Sequence, residues 1–126
     1  MERTVVPVGT AWNERYLQEW RDDVVARSLS PHTIRGYDVS LRLFLDWCGL
    51  NKLSVLDVGP RELRAYFDDL RANEPVSIGH IGNKFTALSN FYDFLDDRQE
   101  VPENFVPHFR RRYLKIPLRE AHKRRF

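Results

Sequence analysis

The chain has 126 residues, 42% of them hydrophobic, 13% aromatic and 30% charged, with a formal net charge of +2. That length suits one domain with a hydrophobic core, and the composition excludes a disordered chain. A single cysteine and four histidines give no disulfide or zinc framework, and neither a signal pattern nor an apolar span of ~18 residues is present, so the expectation is a cytoplasmic, single-domain protein.

The first predicted element is a helix over 10–27. Trp12, Tyr16, Trp20 and Val24 recur every fourth residue with Leu17 and Val25 beside them, and Thr10 can cap the start. The second opens at Ser30-Pro31-His32-Thr33, a serine cap followed by a proline whose missing amide costs nothing at the first helical position. Ile34, Tyr37, Leu41, Phe44, Leu45 and Cys48 form its apolar face, and Arg35, Asp38 and Arg42 share the opposite one. Gly49 is expected to end this helix in a left-handed conformation. Gly36, inside the helix at a cost of about 1 kcal/mol against alanine, points to close approach of another backbone.

The run 53–58 is the one stretch with strand character, and one strand makes no sheet. A third helix is predicted from Pro60, after Asp57-Val58-Gly59, with Leu63, Tyr66, Phe67 and Leu70 inward and Asn73-Glu74-Pro75 closing it. Ser77 caps the fourth, whose core stripe is Ile78, Ile81, Phe85, Leu88, Phe91, Tyr92 and Leu95; Gly79 and Gly82 weaken its first turns. Beyond Arg98, the prolines at 102, 107 and 117 leave room for one short helical turn within 104–116. The expected fold is all-α: an orthogonal bundle of four main helices over 10–106, a flexible start over 1–9, and a basic, proline-containing linker over 107–126.

Charge is unevenly spread along these elements. Residues 1–100 carry 12 Lys/Arg against 16 Asp/Glu, whereas 101–126 carry eight against two. A basic tail on a mildly acidic body suits contact with a polyanion, and a solvated linker is the plainer reading. Enzyme templates fail. Gly79 and Gly82 lack the preceding strand and the Lys-Ser/Thr of a phosphate loop, and no Gly-x-Ser-x-Gly elbow exists. The pairs Asp22-Asp23, Asp68-Asp69 and Asp96-Asp97 read as solvated helix faces rather than metal ligands, and Tyr37, Tyr66 and Tyr92 as core rings with hydrogen-bonded hydroxyls.

The stretch Ser30-Pro31-His32-Thr33-Ile34-Arg35-Gly36-Tyr37, followed by Leu41-Arg42-Leu43-Phe44-Leu45-Asp46-Trp47, resembles the second helix of the amino-terminal core-binding (SAM-like) domain of tyrosine recombinases, the phage-integrase and Xer-type family. Asp57-Val58-Gly59-Pro60-Arg61-Glu62-Leu63-Arg64-Ala65-Tyr66-Phe67 resembles that domain's third helix, and Phe85-Thr86-Ala87-Leu88-Ser89-Asn90-Phe91-Tyr92-Asp93-Phe94-Leu95 its last long one. Glu103-Asn104 sits where family members carry Glu-Asn-Pro before the interdomain linker, and the likeness covers roughly 12–106.

The resemblance implies a small helical arm of a clamp on duplex DNA, using no metal or cofactor, with the catalytic arginines, lysine, histidine and tyrosine in a separate carboxy-terminal domain. The chain ends at Lys123-Arg124-Arg125-Phe126, where the linker would enter that domain, so the expectation is a fragment or short relative that does not cut DNA. The family's His-x-x-Arg signature occurs as His32…Arg35, His108…Arg111 and His122…Arg125, coincidences expected among sixteen arginines and followed by no tyrosine on a suitable scaffold.

The candidate DNA contacts are Ser30, His32 and Thr33 at the second helix start, and Ser77, His80 and Asn83 at the fourth, where free amides and positive partial charge suit a phosphate. Arg35 and Arg42 on one face and Lys84 on another would reach the groove or the backbone, and Arg110, Arg111 and Arg112 would neutralise phosphates along the linker. The plainer reading of Arg35 and Arg42 is that they flank Asp38 in surface pairs worth under about 1 kcal/mol. Asn83 and Ser89 stand where many members carry basic residues, and Asp93, Asp96 and Asp97 add negative charge, so weak autonomous binding is expected. The implied partners are duplex DNA, the catalytic domain of the same polypeptide and further recombinase protomers, with no membrane. The rival reading is a helical protein–protein interaction module, with Trp12, Trp20 and Trp47 including exposed anchors and the basic tail contacting an acidic partner.

Overall fold

The computed structural model describes residues 8–73 and 78–114. Four long helices, α1 (Val8–Ala26), α2 (Pro31–Leu50), α3 (Pro60–Asn73) and α4 (Ile78–Asp97), precede a short α5 (Val106–Phe109) that runs into a π-helical turn (Arg110–Leu114). The described residues contain no strand, and the 53–58 stretch holds a 3-10 turn, Val55–Asp57, so the architecture is all-α as expected.

The helix starts are local devices. Ser30 Oγ accepts the Thr33 amide at 3.1 Å, with Pro31 in the first helical position. At α3 the Gly59 amide donates to Glu62 Oε1 at 2.9 Å, the reaching-back half of a capping box. The exits share a different device. After α1, α2 and α4 a non-glycine residue takes positive φ: Ser28 (64°), Lys52 (56°) and Gln99 (61°). Each is wrapped by the same pair of bonds, at α2 from Leu53 N to Cys48 O (2.9 Å) and from Lys52 N to Gly49 O (3.2 Å). Gly49 therefore does not end α2 in the left-handed conformation. It stays helical and Lys52 makes the turn, because the exit is fixed by which carbonyls the following amides reach. Gly36 is also corrected: it is exposed, and a Cβ there would meet nothing within 4 Å.

Side-chain ladders set the helix directions. Arg42 meets Glu14 and Arg21 meets Asp38 (2.6 Å), so α2 runs antiparallel to α1. On α4, Asn90 meets both Trp20 (2.9 Å) and Arg27 (3.4 Å), and Arg98, just past the helix, meets Glu19 (2.7 Å), so the C-terminal half of α4 lies across the C-terminal half of α1. The N-terminal end of α2 lies toward the end of the bundle where α1 finishes. Leu17, Trp20 and Val24 of α1, Leu41, Phe44 and Cys48 of α2, and Phe85, Phe91 and Leu95 of α4 are completely buried. Val25, expected beside them, is 64% exposed. Two buried polar groups are tied down across the core: Trp20 Nε1 donates to Asn90 Oδ1 (2.9 Å) and Tyr92 Oη to the Val55 carbonyl (2.6 Å). Asn13 Nδ2 donates to the Leu53 carbonyl (3.0 Å) while its Oδ1 accepts the Val55 amide (2.9 Å), sealing α1 to the 3-10 turn.

The core does not stop at 106. Phe109 is buried, stacked on Phe85 with centroids 5.2 Å apart and edge-on to Phe67 at 5.8 Å, and Leu114 is buried beyond it. Asn104 fixes the entry, Nδ2 donating to the Ser89 carbonyl (2.9 Å) and Oδ1 accepting the Val106 amide (3.0 Å). Residues 107–114, expected to be linker, thus pack against α3 and α4. The physical reason is a helical stripe (Val106, Phe109, Tyr113, Leu114) interleaved with arginines. The remaining linker, 115–126, lies outside the described residues, as does 1–7 of the expected flexible start, whose last two residues already belong to α1.

Candidate nucleic-acid interface

At the α2 start, Ser30 and His32 are exposed and Thr33 is half-buried. Ser30 Oγ is occupied by its capping bond and donates to Thr33 Oγ1 at 2.9 Å, leaving the first-turn amides as the groups that could meet a phosphate. Arg35, one turn on, is exposed and forms no hydrogen bond or ion pair with another described residue. Arg42 differs. Its two terminal nitrogens hold both Glu14 oxygens, Nη1 at 3.0 Å, and Asp46 Oδ1 lies 3.5 Å from Nε. The hydrogen bond from Arg42 pulls the Glu14 carboxyl below its usual range.

Asp38 is held by Arg21 of α1 rather than by Arg35 or Arg42, so the expected Arg35–Asp38–Arg42 array does not form. That face of α2 borders the polar edge of α1, and partners from a neighbouring helix outbid those on the same one.

On α4, Ser77 lies outside the described residues, and His80 and Asn83 are exposed in the first turns. Lys84 is half-buried, beside a groove between α2 and α3 walled by Leu43, Trp47, Leu50, Tyr66 and Leu70, with Asp46 and Asp69 on the rim. The three consecutive arginines face different surroundings. Arg111 is exposed with no bond to another described residue. Arg112 Nε donates to Tyr113 Oη at 3.3 Å, and Arg64, paired with Asp68 (3.0 Å), lies 4.9 Å from the same ring. Hydrogen bonds from Arg112 and Arg64 push the Tyr113 phenol below its ordinary pKa. Arg110 is drawn into the bundle, Nη2 donating to Thr86 Oγ1 at 2.9 Å.

Sequence reasoning did not single out Arg64, Arg71 (5.3 Å over Phe67), Thr86 or Tyr113. The Val106–Leu114 stripe was the signal that could have brought them in.

The histidines of two His-x-x-Arg coincidences, His32 and His108, are exposed, and His122 lies outside the described residues. Burial raises the phenol pKa of Tyr66 and Tyr92, the behaviour of core rings rather than nucleophiles. Tyr66 Oη, however, is buried without a partner, unlike Tyr92. Of the proposed tryptophan anchors, Trp20 is completely buried, Trp47 donates to Asp69 Oδ2 at 2.7 Å, and Trp12 alone is substantially exposed, at 43%. Asp93, Asp96 and Asp97 share a hollow with Asp23 and Arg27. No helix among the described residues is long and apolar enough to cross a membrane.

Comparison with known proteins agrees with this helical arrangement. The family model described as the phage integrase N-terminal SAM-like domain matches residues 16–100. The chain is 26% identical over 98 residues to a tyrosine recombinase XerC of Leptospira interrogans serovar copenhageni, and equally to its counterpart in serovar Lai. Each alignment covers 64% of this chain and 32% of the relative, so the chain spans about a third of the length of the curated relatives it matches. No solved structure matches it.

Proposed function

The chain belongs to the phage integrase N-terminal SAM-like domain family, the non-catalytic amino-terminal domain type of tyrosine recombinases, and on that premise we propose that it grips duplex DNA at a recombination half-site. Its task is to orient the duplex for a partner domain that carries out strand exchange. That catalytic domain in the same polypeptide, and further protomers assembled on the DNA, are the partners this reading requires.

The observation that carries the proposal is the pair of exposed polar first turns at α2 and α4. Their amides and exposed side chains (His32 and Arg35; His80 and Asn83) are the groups that suit a phosphate backbone. Arg110, Arg111 and Arg112 add positive charge on an element docked to α4. Acidic residues gather in the other half of α4, at Asp93, Asp96 and Asp97, in a hollow shared with Asp23 and Arg27, and would keep that surface off a polyanion.

The test is a fluorescence-anisotropy titration of the whole chain against duplex DNA over a salt series. Arg35→Ala is expected to weaken binding and reduce the slope of log K against log salt by about 0.9, the value for one phosphate contact. Arg42→Ala, whose guanidinium is already neutralised by Glu14, is expected to change the slope far less. Binding unchanged by Arg35→Ala removes the α2 contact, and loss of binding only on deleting 110–126 reduces the interaction to tail electrostatics. One observation favours the protein-interaction reading instead: Val39, Leu43 and Leu50 form an exposed apolar stripe on α2. Failure to bind any duplex at low salt would turn attention there.

A further inference from the structure

Among the described residues, Arg110 stands apart from the other arginines that pair across the bundle. Arg21 has Asp38, Arg42 has Glu14 and Arg98 has Glu19. Arg110 has no acid among the described residues. Its Nη2 donates to the neutral Thr86 hydroxyl (2.9 Å), which itself donates to the Gly82 carbonyl (3.0 Å), and its Nε is shielded from solvent with no acceptor. Burial lowers its pKa, and the titratable group that works the other way is the Tyr37 phenol of α2. The guanidinium thus sits against α4, about two turns from its start.

A desolvated cation without a counter-charge is a cost the free protein carries. The side chain is only half-buried, so a ligand can still approach from outside, and the Thr86 hydroxyl fixes the fork in one orientation. Planar guanidinium groups held this way match the paired oxygens of a phosphodiester.

We propose that Arg110 forms a built-in phosphodiester site on α4, with no acidic partner among the described residues, so that a backbone phosphate of duplex DNA becomes its counter-ion. This inference rests on the duplex-binding reading above. It separates Arg110 from Arg111: the latter is solvated and contributes general attraction, whereas Arg110 trades stability of the free fold for affinity.

The experiment measures two quantities on the whole chain and on Arg110→Met, Thr86→Val and Arg111→Met: the urea midpoint without DNA, and duplex affinity over a salt series. Arg110→Met keeps the stem and removes the charge. It is expected to hold or raise the midpoint while weakening duplex binding about tenfold at low salt and reducing the salt slope by about 0.9. Thr86→Val keeps the charge but frees the fork, with a loss of a few-fold expected. Arg111→Met should reduce the slope and leave the midpoint unchanged.

A lowered midpoint with unchanged affinity in Arg110→Met would make the residue a structural clamp and overturn the inference. An effect on affinity no different from that of Arg111→Met, with no gain in midpoint, would overturn it too. Either result leaves the DNA-binding reading standing, whereas an unaltered chain that binds no duplex defeats that reading first. Stabilisation of the unaltered chain, but not of Arg110→Met, by inorganic phosphate at constant ionic strength without duplex binding would assign the site to free phosphate and refute the duplex assignment.

Discussion

Replacing Phe109 with alanine decides whether the C-terminal element is part of the folding unit. The ring is 2% exposed, stacks on Phe85 at 5.2 Å, meets the Phe67 edge at 5.8 Å and touches Tyr113 at 4.5 Å. Truncating a phenylalanine in such a setting removes its transfer free energy and leaves a cavity between α3 and α4, a loss of about 3–5 kcal/mol. Against a total stability of roughly 5–15 kcal/mol, that is a large fraction. With a urea dependence near 2 kcal/mol/M, the midpoint should fall by about 2 M, and the thermal midpoint by on the order of 15 °C. The assay is urea unfolding followed by tryptophan fluorescence, with completely buried Trp20 as the internal reporter. If 107–114 were a solvated linker, the change would stay within about 0.5 kcal/mol. A midpoint shift below roughly 0.3 M with unaltered slope would therefore refute the packing argument.

Three further outcomes follow from particular positions. Gly36→Ala should stabilise the protein by up to about 1 kcal/mol, because the position is mid-helix, exposed, and open to a Cβ; urea unfolding checks it, and a destabilised variant would mean an unseen close neighbour. Burial pushes the Cys48 thiol up to about 12 and also raises the Tyr66 and Tyr92 phenols. These acids ionise sooner in the unfolded chain, near 8.5 for the thiol and 10 for the phenols, so their contribution is fully present below that range and lost as pH climbs through the folded values. Urea midpoints should be level across neutral pH and fall from about pH 9 upward, and Cys48 should resist thiol reagents at pH 8 until urea is added; a reactive thiol in the folded chain would contradict its burial.

What could be read from the sequence was whatever the chain decides locally. The Ser30-Pro31 start of α2, the Pro60 start of α3 and the inward stripe of α4 (Ile81, Phe85, Leu88, Phe91, Tyr92, Leu95) each depend on residues within a turn or two, and each stands where the sequence puts it. The misses are non-local. Whether Arg42 is available depends on Glu14, 28 positions away on another helix. The end of α2 depends on backbone bonds that select Lys52 over the neighbouring glycine. The short helical turn within 104–116 stands where expected, but its packing was hidden by charge: three consecutive arginines read as a solvated run, although the apolar residues flanking them recur at helical spacing. At the candidate interface the individual residues were legible, but not which of them already had partners.

Docking of Phe109 and Leu114 also shortens a leash. A flexible tether downstream can start no earlier than position 114 instead of 106, eight residues later, which removes about 27 Å of fully extended reach. A module tethered from that anchor searches a smaller volume around the bundle and meets its target at higher effective concentration.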